Sequence, residues 1–519
     1  MAIPDPLPNA QSPQARGNGC RLRIHRVGID TYQEPIVYLR ADSHVCRAEG
    51  FDALSRVELR LDGRHLVATL NVVHAASALP LALDQAGLSE AAWRSLGGSE
   101  GDSVGIMHPA PVESFSHVRA KIFGHAFTAT ALRAIIEDVV AGHYSAIETA
   151  AFIAACASER FDLDETIALT RAMVEAGSQL RWESHTVMDK HCVGGIPGNR
   201  TTLIVVPIVA ALGVMIPKTS SRAITSPSGS ADTMETLAPV ALDETRMRRV
   251  VEREGGCIVW GGAVNLSPAD DILIRVERPL DLDSDAQLVA SVISKKVAAG
   301  STHVVIDLPT GATAKVRTAE AATALSARLA EVGRAFDLVV EVMPSDGSQP
   351  IGRGIGPALE ARDVVAVLRN AADAPRDLRE RSLRIAGRIL EIAGIAAPGA
   401  GASLARTALD DGRAWHKLQA IAEAQGGLRT PCVARYRHEV TAAHGGVVFG
   451  IDNRRLSRIA KLAGAPATQT AGIDLHVRVS SPVAPGEPLY TIHADAPGEL
   501  AYALEYARRQ ADVIAIDRP

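Results

Sequence analysis

The sequence predicts a multidomain protein that combines α/β and α+β domains. Short runs that alternate apolar and polar residues dominate positions 21–113, as half-buried strands do. Helical spacing of apolar residues takes over near residue 124. Between residues 191 and 398, apolar strand-like runs alternate with helices, which is typical of a parallel sheet covered by helices. The largest domain should therefore contain a mostly parallel sheet.

Five segments are predicted along the 519 residues. Residues 1–20 are rich in proline, glycine and polar residues and lack the apolar core of a signal peptide, so we interpret them as a disordered leader. The segments that follow are a β-rich N-terminal domain (21–113), a helical domain (124–190), an α/β domain (191–398) and a C-terminal α+β domain (430–519). Part of residues 270–300 is expected to pack on the helical domain.

The helical domain is predicted from three periodic stretches. Gly142 separates the first two, and the third is bounded by Asp162 or Asp164 as N-cap and by Gly177 at its end. In the α/β domain, strands are predicted at CIVW, HVVIDL and DLVVEV, and helices at TTLIVVPIVAALGV, SADTMETLAP and EAATALSARLAEVGRAF. The C-terminal domain should hold strands at ARYRHEVTA, GGVVFGID, GIDLHVRV and EPLYTIHA.

Composition argues against several classes of function. Hydrophobic residues make up 47% and charged residues 22% of the chain, which suits a globular protein with a large core. The formal net charge of −5 gives no basic excess for the backbone of a nucleic-acid polymer. Six scattered cysteines form no CxxC pair, so we expect reduced thiols in the cytoplasm and neither disulfides nor a zinc site. No apolar run is long enough to predict a membrane span.

The first candidate site is the stretch DKHCVGGIPGNRTTLIVVPIVAAL. Its glycine-rich turn allows the backbone to approach a ligand closely. Thr201 and Thr202 then open an apolar helix, and the unpaired N–H groups at a helix start attract anions. Lys190 adds a full positive charge. These features predict an anion-binding segment, although an ordinary left-handed turn followed by an N-cap would use the same residues.

The second candidate site is the stretch PKTSSRAITSPSGSADTMETLAPV. It gathers many hydroxyl side chains around Arg222, before a helix that begins near Ser230 or Asp232. Hydroxyl groups beside an arginine suit an anion or a sugar. A solvated Ser/Thr-rich linker is the alternative, and the apolar strand and helix on either side make it the less favoured one.

Together these two stretches resemble the thymidine phosphorylase family. The family pattern KHS-x-GG is matched by KHCVGG from Lys190, and its pattern S-[GS]-R-[GA]-x-x-x-x-x-G-T-x-D-x-x-E by the segment from Ser220 to Glu235. LVASVISKK, at 288–296, is similar to the family's base-side helix, and the tail from GGVVFGID is similar to its C-terminal domain. Cys192 and Ser230 stand where the family has serine and threonine, and no residue aligns with the family's base-binding arginine. The resemblance covers roughly residue 123 to the end.

The resemblance implies a pentosyltransferase that uses inorganic phosphate. Such an enzyme reversibly cleaves the N-glycosidic bond of thymidine or a related nucleoside, giving a free base and (deoxy)ribose 1-phosphate. The extra N-terminal domain and strings such as TGATAKV look more like the AMP phosphorylases. A nucleoside-monophosphate phosphorylase that forms ribose 1,5-bisphosphate is therefore the first alternative, and a non-catalytic nucleotide-binding regulator is the second.

The resemblance also implies roles for individual residues. Asp283, His191 and Lys295 would be catalytic, and phosphate would be bound by Lys190, Thr201, Ser220 and Ser230. The nucleoside or nucleotide would be contacted by Gly195, Ser221, Arg222, Ala223, Ile224, Thr225, Ser226, Ser291 and Lys315. Taken from the residues alone, His191 can also be structural, Asp283 a helix cap and Lys315 a surface lysine.

No cofactor is expected, since inorganic phosphate serves as co-substrate, and no cluster of histidine and acidic residues has metal-ligand spacing. The family usually forms dimers, so we expect a homodimer or a larger homo-oligomer. A phosphoribosyltransferase of similar architecture is a further rival. It needs Mg²⁺, and the absence of acidic residues in or just after GGIPGN argues against it.

Overall fold

The computed structural model describes residues 21–157, 161–223, 226–280, 282, 284–510 and 512–517. The chain divides into two compact units. The smaller unit holds the residues up to Ser116 together with residues 138–149, and the larger unit holds residues 117–137 and the chain from Ala150 onward. The finer division that the sequence predicts, at 124–190, 191–398 and 430–519, stays a prediction.

A closed barrel of six β-strands forms the smaller unit, in a stretch that is described without gaps. Its strands and two short helices are β1 (Arg21–Arg26), β2 (Ile36–Arg40), α1 (His44–Glu49), β3 (Arg56–Leu61), β4 (Arg64–Val73), β5 (Gln85–Leu88), α2 (Glu90–Leu96) and β6 (Ser103–Met107). The strand order around the barrel is β1-β5-β2-β4-β3-β6. The pairs β1–β5 and β2–β4 are parallel, and the other neighbours are antiparallel.

The alternation that predicts these strands also fills the barrel. Leu22 and Ile24 of β1 and Val57 and Leu59 of β3 are buried, whereas the residues between them are more exposed. Closure pairs each strand on both sides, so the barrel has no open sheet edge. The predicted β-rich N-terminal region is therefore confirmed, and the structure identifies it as a barrel.

Four helices follow the barrel: α3 (Phe115–Ile122), α4 (Ala129–Val140), α5 (Ala146–Cys156) and α6 (Leu163–Glu175). The predicted break at Gly142 is confirmed, and this residue has a φ of 75° in the turn between α4 and α5. Asp162, and not Asp164, caps α6. Its carboxylate accepts from the Glu165 backbone N–H at 2.8 Å, and the Glu165 carboxylate accepts from the Asp162 N–H at 3.0 Å.

Parallel strands form the centre of the larger unit. They are β7 (Met188–Cys192), β8 (Ile216–Ser220), β9 (Gly256–Trp260), β10 (His303–Thr310) and β11 (Val339–Asp346). Strand β10 lies between β7 and β11, and β8 pairs with β9, in each case in parallel. A single parallel bridge between Val187 and Met215 connects the two groups. The predicted parallel sheet is confirmed.

Two stretches of this sheet differ from the sequence prediction. No strand is predicted across Lys190–His191 or across Lys218–Ser220, whereas these residues lie in β7 and β8. Consecutive polar residues break the apolar pattern by which a buried strand is recognised. They are tolerated here because side chains from distant parts of the chain pair with them.

Helices of the larger unit flank this sheet. They are α7 (Thr202–Ala211), α8 (Ser230–Glu235), α9 (Glu244–Glu254), α10 (Pro268–Leu280), α11 (Asp285–Ala298), α12 (Ala319–Arg334), α13 (Pro357–Leu368), α14 (Arg376–Ile392), α15 (Gly401–Asp410) and α16 (Arg413–Gln425). Residues 202–210 of α7 are all buried, as its uniformly apolar sequence predicts. Helix α8 is shorter than predicted and ends at Glu235.

The C-terminal part combines two small sheets with two helices. Its elements, with one short strand contributed from upstream, are β12 (Gly354–Ile355), β13 (Tyr436–Thr441), β14 (Gly446–Ile451), α17 (Asn453–Leu462), β15 (Gly472–Leu475), β16 (Pro482–Val483), β17 (Pro488–Ala494), α18 (Pro497–Arg509) and β18 (Ile514–Ile516). The sheets have the orders β12-β15-β17-β13 and β16-β14-β18. The four strands predicted here are confirmed, and with them the multidomain α/β plus α+β class. Among the described residues, no helix combines the length and apolar character that crossing a membrane requires.

Candidate active site

Strand β7 presents different chemistry on its two faces. Because successive side chains of a strand point to opposite sides, Lys190 and Cys192 share one face, and Asp189 and His191 share the other. In the parallel pairing with β10, Cys192 lies beside Asp307. The Lys190 face therefore meets the glycine-rich turn and the start of α7, whereas the His191 face meets lysines from β8 and α11.

The ammonium group of Lys190 contacts the two threonines at the start of α7. Its Nζ donates to Thr201 Oγ1 at 2.7 Å, and Thr202 Oγ1 lies 3.4 Å away. Burial of the whole side chain lowers the pKa of Lys190. The Thr201 hydroxyl makes no helix-capping bond, so it is engaged with the lysine. The predicted phosphate ligands Lys190 and Thr201 thus lie in direct contact.

Cys192 belongs to the same hydrogen-bonded network. Asn199 donates through Nδ2 to Cys192 Sγ at 3.1 Å and to Asp307 Oδ2 at 2.8 Å, and its Oδ1 accepts from Thr201 Oγ1 at 3.3 Å. Burial, with the Asp307 carboxylate nearby, raises the pKa of the Cys192 thiol to about 11. The residue that replaces the family serine is therefore a protonated thiol and a weak hydrogen-bonding group.

Two glycines of the turn allow close backbone approach. A Cβ atom on Gly195 would lie 2.1 Å from the backbone nitrogen of Lys315, and one on Gly198 would lie 2.0 Å from the carbonyl oxygen of Ile351. Only glycine fits at either position. The structure thus brings Gly195 and Lys315, both predicted nucleotide contacts, together. The string TGATAKV that contains Lys315 is strand-like in sequence, but in the structure Lys315 lies in the turn that follows β10.

The second candidate segment begins at the end of β8. The Ser220 hydroxyl is buried and has no hydrogen-bond partner among the described residues. Buried hydroxyls are normally paired, so this one is suited to a ligand. Ile224 and Thr225 lie outside the described residues. Ser221 is exposed, and the Ser226 hydroxyl donates to the Ser228 carbonyl oxygen at 2.8 Å.

Asp232 shapes the backbone of this segment. Its Oδ2 accepts from the N–H groups of Ala223 at 2.7 Å and Gly229 at 2.8 Å. Arg222 forms ion pairs with Asp232, at 3.2 Å, and with Glu235, at 2.6 Å. The Arg222 guanidinium also lies 5.0 Å from the centre of the Trp260 ring. Arg222 and the Ala223 backbone therefore stabilise the segment, and their predicted contact with a nucleotide stays a prediction.

Arg200 joins the two candidate segments. It donates through Nη1 to Ser230 Oγ at 3.2 Å and through Nη2 to the Ser228 carbonyl oxygen at 3.0 Å. Its Nε forms an ion pair of 2.6 Å with Glu360, a carboxylate that is itself buried. The glycine-rich turn and the hydroxyl-rich segment are thereby held side by side, as a shared anion site requires.

His191 is half-buried on the opposite face of β7. Burial and the nearby ammonium groups of Lys296, Lys218, Lys295 and Lys190 hold the pKa of His191 well below its ordinary value. The imidazole is therefore neutral at physiological pH. It can donate or accept a hydrogen bond, but it does not carry the positive charge that a departing base would need.

A third group of residues lies on helix α11. Lys295 Nζ donates to Ser291 Oγ at 3.0 Å and to Asp270 Oδ2 at 2.7 Å, so the two predicted base-side residues are in contact. Beside them is a small cavity that is lined by side chains of α6, α10 and α11, with Leu169, Leu273, Ile274, Gln287 and Ser291 among them. Asp283, predicted as the proton donor, lies outside the described residues. In the described ranges, no group of histidine, cysteine and acidic side chains could hold a metal ion.

Models of known families match three parts of the chain. A glycosyl transferase family helical bundle domain matches residues 116–177, a glycosyl transferase family a/b domain matches residues 184–415, and a pyrimidine nucleoside phosphorylase C-terminal domain matches residues 447–513. A Polaromonas sp. protein named "Putative thymidine phosphorylase" is 63% identical over 96% of this chain and 96% of its own length. The chain belongs to the thymidine phosphorylase family. The resemblance predicted from the two motifs is confirmed, and with it the glycosyl transferase class.

Other members of the thymidine phosphorylase family agree with this assignment. An Acidovorax sp. protein named "Putative thymidine phosphorylase 2" is 60% identical over 96% of each chain, and a Legionella pneumophila protein named "Putative thymidine phosphorylase" is 55% identical over 95% of each chain. Among solved structures, anthranilate phosphoribosyltransferase from Thermus thermophilus has a TM-score of 0.50 at 21% identity, covering 60% of this chain and 99% of its own. The same enzyme from Saccharomyces cerevisiae also has a TM-score of 0.50, at 13% identity, covering 61% and 98%. At these identities the likeness shows the fold alone.

Sequence reasoning missed several residues of this family member's site. Asn199 and Arg200 lie within the first motif but received no role, because neither is a fixed letter of the family pattern. Asp307 and Glu360 meet the motif only in the folded chain. Gln287 lines the cavity beside Ser291, and its buried Oε1 has no hydrogen-bond partner within the described part of the chain. The one available signal was that Gln287 and Ser291 are four residues apart on a predicted helix, which places their side chains on the same face.

Proposed function

We propose that the chain is a phosphorylase that transfers the pentosyl group of a nucleoside to inorganic phosphate. Phosphate would be held by Lys190, Thr201, Ser220 and Ser230. The observation that carries this proposal is the link that Arg200 makes between the glycine-rich turn and the hydroxyl-rich segment. It supports one common site in which a cation, hydroxyl groups and helix N–H groups surround a dianion.

The chemistry of the reaction fits this arrangement. As the bond between base and sugar breaks, positive charge grows on the sugar and negative charge grows on the base. The phosphate dianion stabilises the sugar cation and then attacks C1′ from the face opposite the base. Lys295, 3.0 Å from Ser291 and 2.7 Å from Asp270, can offset the charge on the departing base. His191, being neutral, would act as a hydrogen-bond partner, and Asp283 would be the proton donor where the base requires one.

Thymidine or a related nucleoside is the proposed substrate, as the names of the relatives indicate for those proteins. A second candidate is AMP or another nucleoside monophosphate. It is favoured by the packing of Gly195 against the Lys315 backbone, because both are expected nucleotide contacts in that branch. The products would then be a base and ribose 1,5-bisphosphate. No cofactor enters either scheme.

One assay separates these functions. Purified protein is incubated with thymidine, uridine, AMP or CMP, each with and without phosphate and with and without EDTA, and released base is followed by chromatography. Release that requires phosphate and is unaffected by EDTA supports the proposal, and the substrate that reacts identifies the branch. A protein that binds nucleotide without releasing base would contradict the proposal.

We propose a homodimer or larger homo-oligomer, from the habit of the family. We propose the cytoplasm as its location, because the cysteines are scattered along the sequence and those in the described residues are free. Sedimentation equilibrium of the full chain tests the first part, and a monomer at micromolar concentration would contradict it.

A further inference from the structure

The C-terminal part of the chain reaches the glycine-rich turn through two intermediate segments. Every residue that is proposed to contact phosphate or nucleoside lies in the first 315 residues, so the proposed function gives the C-terminal part no role. The two intermediate segments are residues 311–316, here called turn A, and residues 347–353, here called loop B. Turn A packs against Gly195 and loop B against Gly198.

Asn453, the first residue of α17, bonds to both segments. Its Nδ2 donates to Thr313 Oγ1 of turn A at 3.0 Å and to the Gly347 carbonyl oxygen of loop B at 3.0 Å. The Asn453 backbone N–H also donates to Thr313 Oγ1, at 3.3 Å. The asparagine is fully buried, and its Oδ1 has no hydrogen-bond partner in the described part of the chain. An unpaired buried acceptor is costly, so stability alone does not account for an asparagine at this position.

Arg478, which follows β15, holds loop B at a second place. Its guanidinium group donates to the Pro350 carbonyl oxygen at 2.8 Å and to the Gly352 carbonyl oxygen. Between these two anchored residues, the Ile351 N–H donates to the Pro197 carbonyl oxygen of the glycine-rich turn at 3.2 Å. The residue of loop B that contacts the glycine-rich turn is therefore fixed on both sides from the C-terminal part.

The packing leaves the glycine-rich turn little room to move independently. Gly195 lies against the backbone of Lys315 in turn A, and Gly198 lies against the Ile351 carbonyl group in loop B, both too closely for a Cβ atom. At such short separations a shift of one backbone forces a shift of the other. The positions of turn A and loop B therefore set the shape of the glycine-rich turn.

We propose that Asn453 and Arg478 are positioning residues, through which the C-terminal part holds the glycine-rich turn in the shape that binds phosphate. The inference rests on the proposed phosphorylase function. Asn453 acts through turn A and loop B together, whereas Arg478 acts through loop B alone. The C-terminal part would thus contribute to phosphate affinity without contacting phosphate.

The first test follows the structure and needs no turnover. Hydrogen exchange of the full chain is measured by mass spectrometry for peptides that cover turn A and residues 193–200, in the native protein and in Asn453→Ala. We expect faster exchange in both peptides of the variant. An unchanged rate for residues 193–200 would overturn the proposal, whether or not turn A exchanges faster, because the lost contact would then not act on the glycine-rich turn.

The second test asks which kinetic constant changes. Asn453→Ala and Arg478→Met should each raise the KM for phosphate by about tenfold or more, with kcat at saturating phosphate within about threefold of the native value. A loss of kcat with an unchanged KM for phosphate would refute the proposal.

Thr313 provides a second route to the same contact, should Asn453→Ala fail to fold. Thr313→Ala should also raise the KM for phosphate, and the double variant Asn453→Ala/Thr313→Ala should be little worse than Asn453→Ala, because both changes remove one interaction. Thr313→Ser keeps the hydroxyl group and should retain the native KM. Fully additive effects would contradict an action of Asn453 through turn A.

Thr470→Val is the matched control. Thr470 is also a buried polar residue of the C-terminal part, and its hydroxyl donates to Asp495 Oδ2 at 2.6 Å. The variant should be less stable but should keep the native KM for phosphate and the native exchange of residues 193–200. An equal rise of the phosphate KM in Thr470→Val and Asn453→Ala would indicate general loosening of the C-terminal part and would refute the proposal.

Failure of the proposed function can be distinguished from failure of this inference. If the native protein released no base, the proposed function would be wrong, and binding of ³²P-labelled phosphate would be compared by equilibrium dialysis. Weaker binding by Asn453→Ala than by the native protein would still support the positioning role, and equal binding would refute it.

Discussion

The Arg200 guanidinium donates to the Ser230 hydroxyl at 3.2 Å, and so ties the end of the glycine-rich turn to the start of helix α8. The same side chain forms a 2.6 Å ion pair with Glu360, whose side chain is fully buried. A buried guanidinium group that is held on two sides in this way has little freedom to move. It fixes the distance between the two segments that are proposed to share one phosphate.

Replacing Arg200 should therefore damage both stability and phosphate binding. Arg200→Met leaves the Glu360 carboxylate buried without its cation, which we expect to cost about 3–5 kcal/mol of the free energy of unfolding. The KM for phosphate should rise, because Ser230 loses its anchor. Urea denaturation and steady-state kinetics at varied phosphate measure the two effects.

The double variant Arg200→Met/Glu360→Gln separates the effect on stability from the effect on phosphate binding. A neutral amide at residue 360 removes the unpaired charge, so much of the lost stability should return while the KM for phosphate stays high. If phosphate affinity recovered together with stability, the link between Arg200 and Ser230 would have no part in binding phosphate.

Lys190 should be required for the use of phosphate. It is the buried cation that contacts the hydroxyls at the start of α7. We expect Lys190→Met to lower kcat/KM for phosphate by about 10²–10³-fold, the range found when one preorganised electrostatic group is removed. Phosphate-dependent release of base is the measurement. Lys417→Met is the control, because Lys417 also pairs with a largely buried carboxylate, Glu254, at 3.1 Å. Unchanged phosphate dependence would remove the assignment of the glycine-rich turn.

Local pattern predicted much of the fold but not the strand that carries the site. The barrel strands alternate apolar and polar residues, and Leu22 and Ile24 point inward as that alternation predicts. The sequence of β7, MDKHC, has three polar residues in a row and gives no such signal. Asp189 is stable inside the sheet only because Lys218 and Lys296 reach it from other elements, and these contacts depend on the tertiary fold.

The site, like the fold, was predicted in part from local sequence, and the rest of it depends on tertiary packing. Lys190 and Thr201 belong to one motif, and the motif alone predicted that they act together. Glu360 lies far along the chain from Arg200, so its ion pair follows from the packing of α13 and leaves no trace in either motif. Family patterns identified residues that would touch substrate, and they could not identify the residues that hold those in place.

Ser220 gives a test in which stability and binding should separate. Its hydroxyl is buried without a partner in the described part of the chain, so Ser220→Ala should leave the free energy of unfolding nearly unchanged. If the hydroxyl binds phosphate, the KM for phosphate should rise by roughly ten- to a hundredfold, since a hydrogen bond to a charged group contributes about 1.5–3 kcal/mol.

Ser228 is the matched control for Ser220. It is fully buried, and its hydroxyl lies 2.8 Å from Thr233 Oγ1. Ser228→Ala should therefore lower the free energy of unfolding by about 1 kcal/mol and affect phosphate less than Ser220→Ala does. The reverse pattern, with Ser220→Ala destabilised and its phosphate KM unchanged, would make Ser220 a structural residue.

The stability of the protein in acid should depend on His493 of β17. The side chain is 5% exposed, and burial lowers the pKa of His493 to about 4. In the unfolded chain a histidine has a pKa near 6.5. Between these two values the unfolded state binds more protons than the folded state, so the free energy of unfolding rises with pH from 4 to 6.5 and falls on acidification. Each pKa unit between the folded and unfolded states is worth about 1.4 kcal/mol, so this residue accounts for up to about 3 kcal/mol of the free energy of unfolding.

We expect His493→Gln to reduce the loss of stability between pH 7 and pH 4.5, as measured by urea denaturation. His438→Gln, at an exposed position of β13, should retain the native pH dependence, and an equal slope in both variants would exclude His493 as the acid-sensitive group.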